Sequence, residues 1–122
     1  MQDQPTAAEL LAAVAKFLRE HAMPQLDQHA AFHARVSANA IDIVRREIEL
    51  GQSSNMEEHK RLILILGHDG SLLELNRELS GRIAAGDIDL STPGVHDHLW
   101  KTTLDKLEID QPHYASFIRE KD

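Results

Sequence analysis

The sequence contains no cysteine among its 122 residues, and aromatic side chains make up 4% of it. Without cysteine the chain has no disulfide, no thiolate nucleophile, no cysteine-ligated iron–sulfur cluster and no cysteine zinc site. Any protein-bound metal would depend on histidine, aspartate or glutamate. The sequence also lacks a Gly-rich phosphate-binding loop and a serine in a nucleophile-elbow pattern. Common nucleophilic and nucleotide-dependent enzyme classes therefore have no signature here.

Positive charge is also scarce, since 13 basic residues face 20 acidic ones and the formal net charge is −7. No Lys/Arg cluster follows one side of a predicted helix, which disfavours nonspecific binding to nucleic acid or anionic membrane. The apolar run 62–66 is far shorter than a membrane span, and the N-terminal segment lacks the basic start of a signal peptide. We therefore expect a cytoplasmic protein with no nucleic-acid or membrane partner.

Residues 27–50, the core of the longest segment free of Pro and Gly, predict a central helix. On a helical wheel its apolar residues cover about half of the circumference. They are Phe32, Val36, Ala40, Ile41, Ile43, Val44 and Ile48. So wide an arc predicts contacts with several neighbouring helices and would also suit a homodimer. We expect Gly51 to end this helix.

Helix-start signals recur along the chain. Thr6 with Glu9, and Ser71 with Glu74, have the capping-box spacing. Asn55 repeats the signature before a third predicted helix, residues 56–66, although the Leu/Ile run at 62–66 could also be a buried strand.

The last third of the sequence predicts two further helices. Thr92 as N-cap with Pro93 at the first helical position indicates a fifth helix, and a short final helix follows Pro112. A chain of this length fits one domain. The expected architecture is one all-α domain, residues 1–122, in which five to six helices pack as a bundle around the long central helix.

Eight histidines invite a metal-site hypothesis. His29 and His33 stand four residues apart, a helical spacing that two imidazoles can use for one ion. His33 lies inside the apolar arc, however, and we predict a core histidine bonded to a carbonyl or to Ser37. The order His33, His68-Asp69, then Asp97 or Asp105 resembles that of HD-type phosphohydrolases, in which His and Asp hold metal ions that activate water. Because His68 and Asp69 fall between a helix-stop and a helix-start signal, a polar turn is the preferred interpretation.

For other polar residues, the sequence allows both a structural and a functional interpretation. Asn39 and Asn76 lie at the margins of apolar stripes, where a buried amide without partners costs about 1 to 3 kcal/mol. We predict cross-links between helices, with a polar pocket or partner surface as the alternative. The triplet 96–98 (His-Asp-His) points in different directions on a helix and predicts a solvated helix start. The candidate partner or ligand surface comprises Phe32, His33, Arg35, Asn39, Glu47, Asn76 and Trp100.

Four segments together resemble a bacterial family of small helical proteins of unknown function. They are PTAAELLAAVAKFLRE, AFHARVSANAIDIV, LLELNRELSGRIAAGDIDL and KLEIDQPHYASF. Members of that family are encoded beside or fused to aminoglycoside-phosphotransferase-like kinases and acyl-CoA dehydrogenases. The resemblance implies a helical fold and an accessory role in acyl-CoA or small-molecule metabolism, and it supplies no catalytic residues.

The first functional hypothesis is therefore a noncatalytic accessory or protein-interaction domain that serves a kinase-like or acyl-CoA dehydrogenase partner. No catalytic residue, cofactor or metal is assigned to it. One alternative is a metal-dependent phosphohydrolase that uses His33, His68 and Asp69. Another is a small-molecule binding module with a pocket between the central and fifth predicted helices, where Trp100 would report on the ligand.

Overall fold

The computed structural model describes residues 3–121, which form helices and loops and contain no strand. The five α-helices are α1 (Ala7–Phe17), α2 (Gln28–Leu66), α3 (Leu72–Ala85), α4 (Val95–Asp110) and α5 (Ala115–Lys121). A π-helical turn, Leu18–Ala22, and a 3₁₀ turn, Met23–Gln25, continue α1 toward α2. The predicted all-α fold with a long central helix is confirmed.

The central helix is longer than predicted, because α2 does not stop at Gly51 but runs on to Leu66. Gly51 lacks the positive φ that marks a left-handed helix stop. A glycine inside a helix costs about 1 kcal/mol relative to alanine, and the surrounding Glu, Gln and Arg residues favour the helix. Asn55 therefore lies within α2 and caps nothing. The run 62–66 belongs to the same helix, which removes the strand interpretation.

The chain divides into two compact units, Met1–Gly51 and Gln52–Asp122, and α2 contributes residues to both. In the first unit, the Thr6 hydroxyl accepts the Glu9 backbone N–H at 3.1 Å, as the capping signature predicted. Farther along, the Arg19 guanidinium donates to Asp42 at 2.6 Å. The buried apolar residues of this unit are three alanines, Ala15, Ala34 and Ala38.

The second unit has a core of larger side chains. It contains Leu62, Leu66, Leu75, Leu79, Ile88 and Val95, with Ile63, Ile65 and Leu72 packed against it. The capping box of Ser71 and Glu74 is complete, since each side chain accepts a backbone N–H of the other residue. On α5, which contacts α4, Phe117 is also buried.

The start of α4 differs from the prediction. The helix begins at Val95, after Gly94 at φ 86°, and not at Pro93. Thr92 caps a turn instead, because its hydroxyl accepts the Asp89 backbone N–H at 3.0 Å. In the loop before α4, Ile88 is buried and Leu90 stays exposed.

Candidate functional site

The first unit leaves many large apolar side chains in solvent. Eight of its described residues are between 44% and 57% exposed, and we call them the apolar surface. They are Leu10, Val14, Phe17, Leu26, Phe32, Val36, Val44 and Ile48. Single exposed apolar residues are common on proteins, but a set of this size on one short segment is typical of interaction sites.

The sequence explains why these side chains remain uncovered. Leu10, Val14 and Phe17 are spaced to share one side of α1. On α2, Ala34 and Ala38 are buried, and helical geometry places them on a different side from Phe32 and Val36. The wide apolar arc of the sequence is real. Among residues 3–51 it is only partly covered, since Ile41 and Ile43 are half-buried and no large apolar side chain is fully buried.

Polar groups surround Phe32 on the apolar surface. The Arg35 guanidinium carbon lies 5.5 Å from the centre of the Phe32 ring, a cation–π distance. The His33 ring meets the same phenyl edge to face at 5.6 Å and meets His29 at 4.5 Å. His33 is exposed, so the prediction of a core histidine was wrong.

Two other predicted site residues lie on the same stretch of α2. The Asn39 side-chain oxygen accepts a hydrogen bond from Arg19 at 2.8 Å. This confirms Asn39 as a cross-link between helical segments, although the residue is exposed and not at a buried margin. Glu47 is exposed in the last turns of the first unit. The structure therefore places Phe32, His33, Arg35, Asn39 and Glu47 on one solvent-accessible stretch of helix.

Asn76 belongs to the second unit. Its amide nitrogen donates to Glu58 at 2.7 Å and to the Leu72 carbonyl at 3.0 Å. It therefore joins α3 to α2, as the cross-link interpretation predicted.

A buried polar contact of the second unit was missed by sequence reasoning. His98 is 1% exposed, and its Nδ1 accepts a hydrogen bond from Arg61 Nε at 3.1 Å. The same guanidinium donates to Thr102 at 3.2 Å. Burial, followed by the charge of Arg61, lowers the pKa of His98 below its ordinary value. The imidazole is therefore a neutral acceptor.

The prediction that residues 96–98 form a solvated helix start fails at His98. Val95 and His98 are three residues apart on α4, and both are buried. The spacing of His98 from Val95 was the available signal, since residues i and i+3 share a helix side. His96 and Asp97 are exposed, and Asp97 pairs with Lys101 at 3.1 Å.

His68 and Asp69 form the predicted polar turn. Both ring nitrogens of His68 have partners, because Nδ1 donates to the Asp69 carbonyl at 3.0 Å and Nε2 donates to Glu78 at 2.8 Å. These two contacts raise the pKa of His68. Within residues 3–121, no three His, Asp or Glu side chains converge in a way that could hold a metal ion. The geometry gives the phosphohydrolase alternative no support.

Trp100 lies on α4 beside two shallow apolar pockets. It is 45% exposed and lines a pocket of about 180 Å³ with Leu90 and Leu99. The adjoining pocket, of about 300 Å³, shares Leu90 and Leu99 and adds Ile83 and Ile88. Its lining comes from α3, the following loop and α4, whereas the sequence had suggested a pocket against the central helix.

These features define a small all-α protein that exposes an apolar surface on residues 3–51. The chain belongs to the family described as a domain of unknown function (DUF6285), whose profile matches residues 24–114. The expected membership of a family of unknown function is thus confirmed. No curated protein and no solved structure matches the chain. Across residues 3–121, none of the helices has the length and apolar character needed to cross a membrane.

Proposed function

We propose that this chain is a noncatalytic accessory domain that acts by binding protein, and that the apolar surface of residues 3–51 is its binding site. The observation that carries the proposal is the exposure of eight large apolar side chains within residues 3–51, where the only fully buried apolar side chains are alanines. Contiguous exposed apolar area beyond a few hundred Å² is uncommon on monomeric proteins and typical of interfaces.

The composition of the surface supports a protein ligand. Phe17 and Phe32 are each at least half exposed and can act as the aromatic anchors on which interface energy concentrates. Arg35 already stacks against Phe32, and arginine is enriched at interfaces together with aromatic residues. His33 and Glu47 supply polar groups on the same helix. An apolar centre with a polar surround is the usual anatomy of a protein interface.

The enzyme that the domain serves is proposed to be kinase-like or an acyl-CoA dehydrogenase. The support for this finer assignment is the resemblance to a family encoded beside or fused to such enzymes. The domain would act there as an accessory subunit in the cytoplasm and contribute no catalytic residue of its own.

Native copurification tests the proposal. The chain is coexpressed with a candidate enzyme of either class and isolated through a tag on the enzyme. We expect coelution, and we expect Phe32→Glu to reduce it at least tenfold, since a charge at an interface anchor is desolvated without a partner. Leu73→Glu is the matched control, because Leu73 is 61% exposed on α3, outside the apolar surface. Equal recovery of both variants would contradict the proposed site.

The larger of the two pockets, which adjoins the one that Trp100 lines, supports a second candidate function, binding of a small apolar ligand. Its volume of about 300 Å³ is at the lower end for small-molecule sites, and its lining is largely aliphatic. Asp89 adds one carboxylate, whose pKa is lowered by hydrogen bonds from the Ser91 hydroxyl and backbone N–H. The site would therefore combine apolar contact with one negative charge.

The single tryptophan of the chain reports on this second candidate. Titration with acyl-CoA thioesters and nucleotides should shift Trp100 fluorescence if the pocket is used. Leu90→Asp should abolish the response, whereas Leu73→Asp should preserve it. Unchanged fluorescence across the whole panel would count against a ligand-binding module.

A further inference from the structure

We infer that the occupant of the apolar surface is a second copy of this chain, so that the protein is a homodimer joined through residues 3–51. The inference rests on the proposed function, which is that this surface binds protein. It adds that the bound protein is a second copy of the chain. Three observations carry it: the fully buried apolar side chains of residues 3–51 are all small, a large apolar area is exposed there, and charge is unevenly distributed along the chain.

Among residues 3–51, large apolar side chains such as Leu11, Ile41 and Ile43 are only partly buried, and none is fully buried. The fully buried apolar side chains of residues 3–51 are alanines, and the Arg19 guanidinium donates to Asn39 and Asp42 on α2. Segments of this size rarely fold alone unless oligomerisation or another constraint supplements the core. A second two-helix unit would complete a four-helix arrangement, in which apolar stripes on each helix face a shared centre.

The exposed area matches the need of a dimer. At about half exposure each, the eight side chains offer roughly 600 to 700 Å² of apolar surface per chain, close to the roughly 800 Å² that each partner buries in a standard interface. In a twofold dimer the same patch serves both partners. A surface rich in large aliphatic and aromatic residues is complementary to itself, because apolar contact has no direction or sign.

Charge directs self-association to this part of the chain. Residues 1–51 carry seven acidic and five basic side chains, whereas residues 52–122 carry thirteen and eight. Two copies therefore repel least through their first units. The ion pairs within that unit, Arg19 with Asp42 and Arg45 with Asp42 and Glu49, neutralise part of the remaining charge locally.

A second copy is also a partner that is always present wherever the chain itself is made. Uncovered apolar area of this size promotes aggregation whenever the partner is scarce. A homodimer covers the surface in every cell that makes the protein. An enzyme that the domain serves would then recognise the dimer, so that variants of the apolar surface lose the enzyme because they lose the dimer.

The test is the molar mass of the purified full chain, measured by light scattering after size exclusion and by sedimentation over a wide range of concentrations. We expect twice the chain mass of 13.7 kDa. The variant Val14→Glu/Val36→Glu should be monomeric or dissociate at least a hundredfold more readily, since it places like charges across the twofold interface. Leu73→Glu, the control outside the surface, should remain a dimer. Trp100 emission verifies that the second unit stays folded in each variant.

Each outcome separates this inference from the proposed function. A monomer at every concentration, or equal dimerisation of the surface and control variants, overturns the second-copy assignment. If the pure chain is monomeric and the apolar-surface variants still lose the enzyme in copurification, the proposed function stands without the dimer. If the chain is dimeric through this surface, amide exchange in residues 3–51 should slow as protein concentration rises. Exchange that is independent of concentration would contradict the dimer.

Discussion

The buried imidazole of His98 makes the stability of the second unit depend on pH in a defined direction. Its folded-state pKa is lowered, first by burial and then by Arg61. A histidine in an unfolded chain has a pKa of about 6.5. Below that pH, residue 98 therefore binds a proton in the unfolded chain but not in the folded one. The free energy of unfolding therefore falls as the pH drops below the unfolded-state pKa. The loss ends once the pH is below the folded-state pKa.

The magnitude follows from linkage. One proton bound only by the unfolded state changes the free energy of unfolding by up to about 1.4 kcal/mol per pH unit. His98→Gln removes the titration while keeping a side-chain acceptor for Arg61. We expect its stability to decline less steeply than that of the wild type between neutral and mildly acid pH. His98→Leu removes the acceptor too and should cost about 1 to 3 kcal/mol at neutral pH, because the Arg61 N–H loses its partner.

Urea unfolding followed by Trp100 fluorescence at a series of pH values measures this effect. Trp100 lies two residues from His98 on α4, so it reports on the unit in question. The informative quantity is the difference between wild type and His98→Gln at each pH, because the other histidines are common to both. Parallel stability curves for the two proteins would refute the account of a buried neutral imidazole.

Three further predictions concern particular residues. Gly51→Ala should stabilise the chain by about 0.5 to 1 kcal/mol because the position is helical, whereas Gly67→Ala, at φ 83°, should destabilise it by a similar amount. Thermal unfolding compares the two variants, and a lower stability of Gly51→Ala would contradict the continuous α2. Ser71→Ala should lower the free energy of unfolding by about 1 kcal/mol through loss of the α3 cap, and no change in urea midpoint would argue against that cap. In an NMR titration the pKa of His68 should lie above its ordinary value and fall on Glu78→Gln, while an identical titration in the variant would rule out their contact.

Local sequence signals predicted local structure well. The capping residues Thr6 and Ser71 found their partners three residues later, because both groups of each hydrogen bond lie within a single helical turn. The polar turn at His68 and Asp69 was equally readable, since it follows a glycine in left-handed conformation. The same reasoning failed at Gly51, where neighbouring helix formers outweigh the cost of one glycine.

Prediction of the candidate site was weaker because it depends on what is packed nearby. The sequence identified the apolar arc and the residues Phe32, Arg35 and Asn39, but it placed His33 in a core. It also took His98 for a solvated residue. A hydropathy pattern shows which side of a helix is apolar, yet it does not show whether another helix of the same chain covers that side.

The sequence by itself thus determined the helical class, the caps, the breadth of the apolar arc and the excess of acidic over basic residues. These depend on backbone preferences and side-chain periodicity, which act over a few residues. Only the tertiary structure decided that Ala34 and Ala38 are buried, that Arg61 meets His98 across 37 positions of sequence, and that eight large apolar side chains of residues 3–51 remain exposed. Those outcomes depend on which distant segments pack together, because burial is a property of the packed chain and not of a residue's own neighbours in sequence.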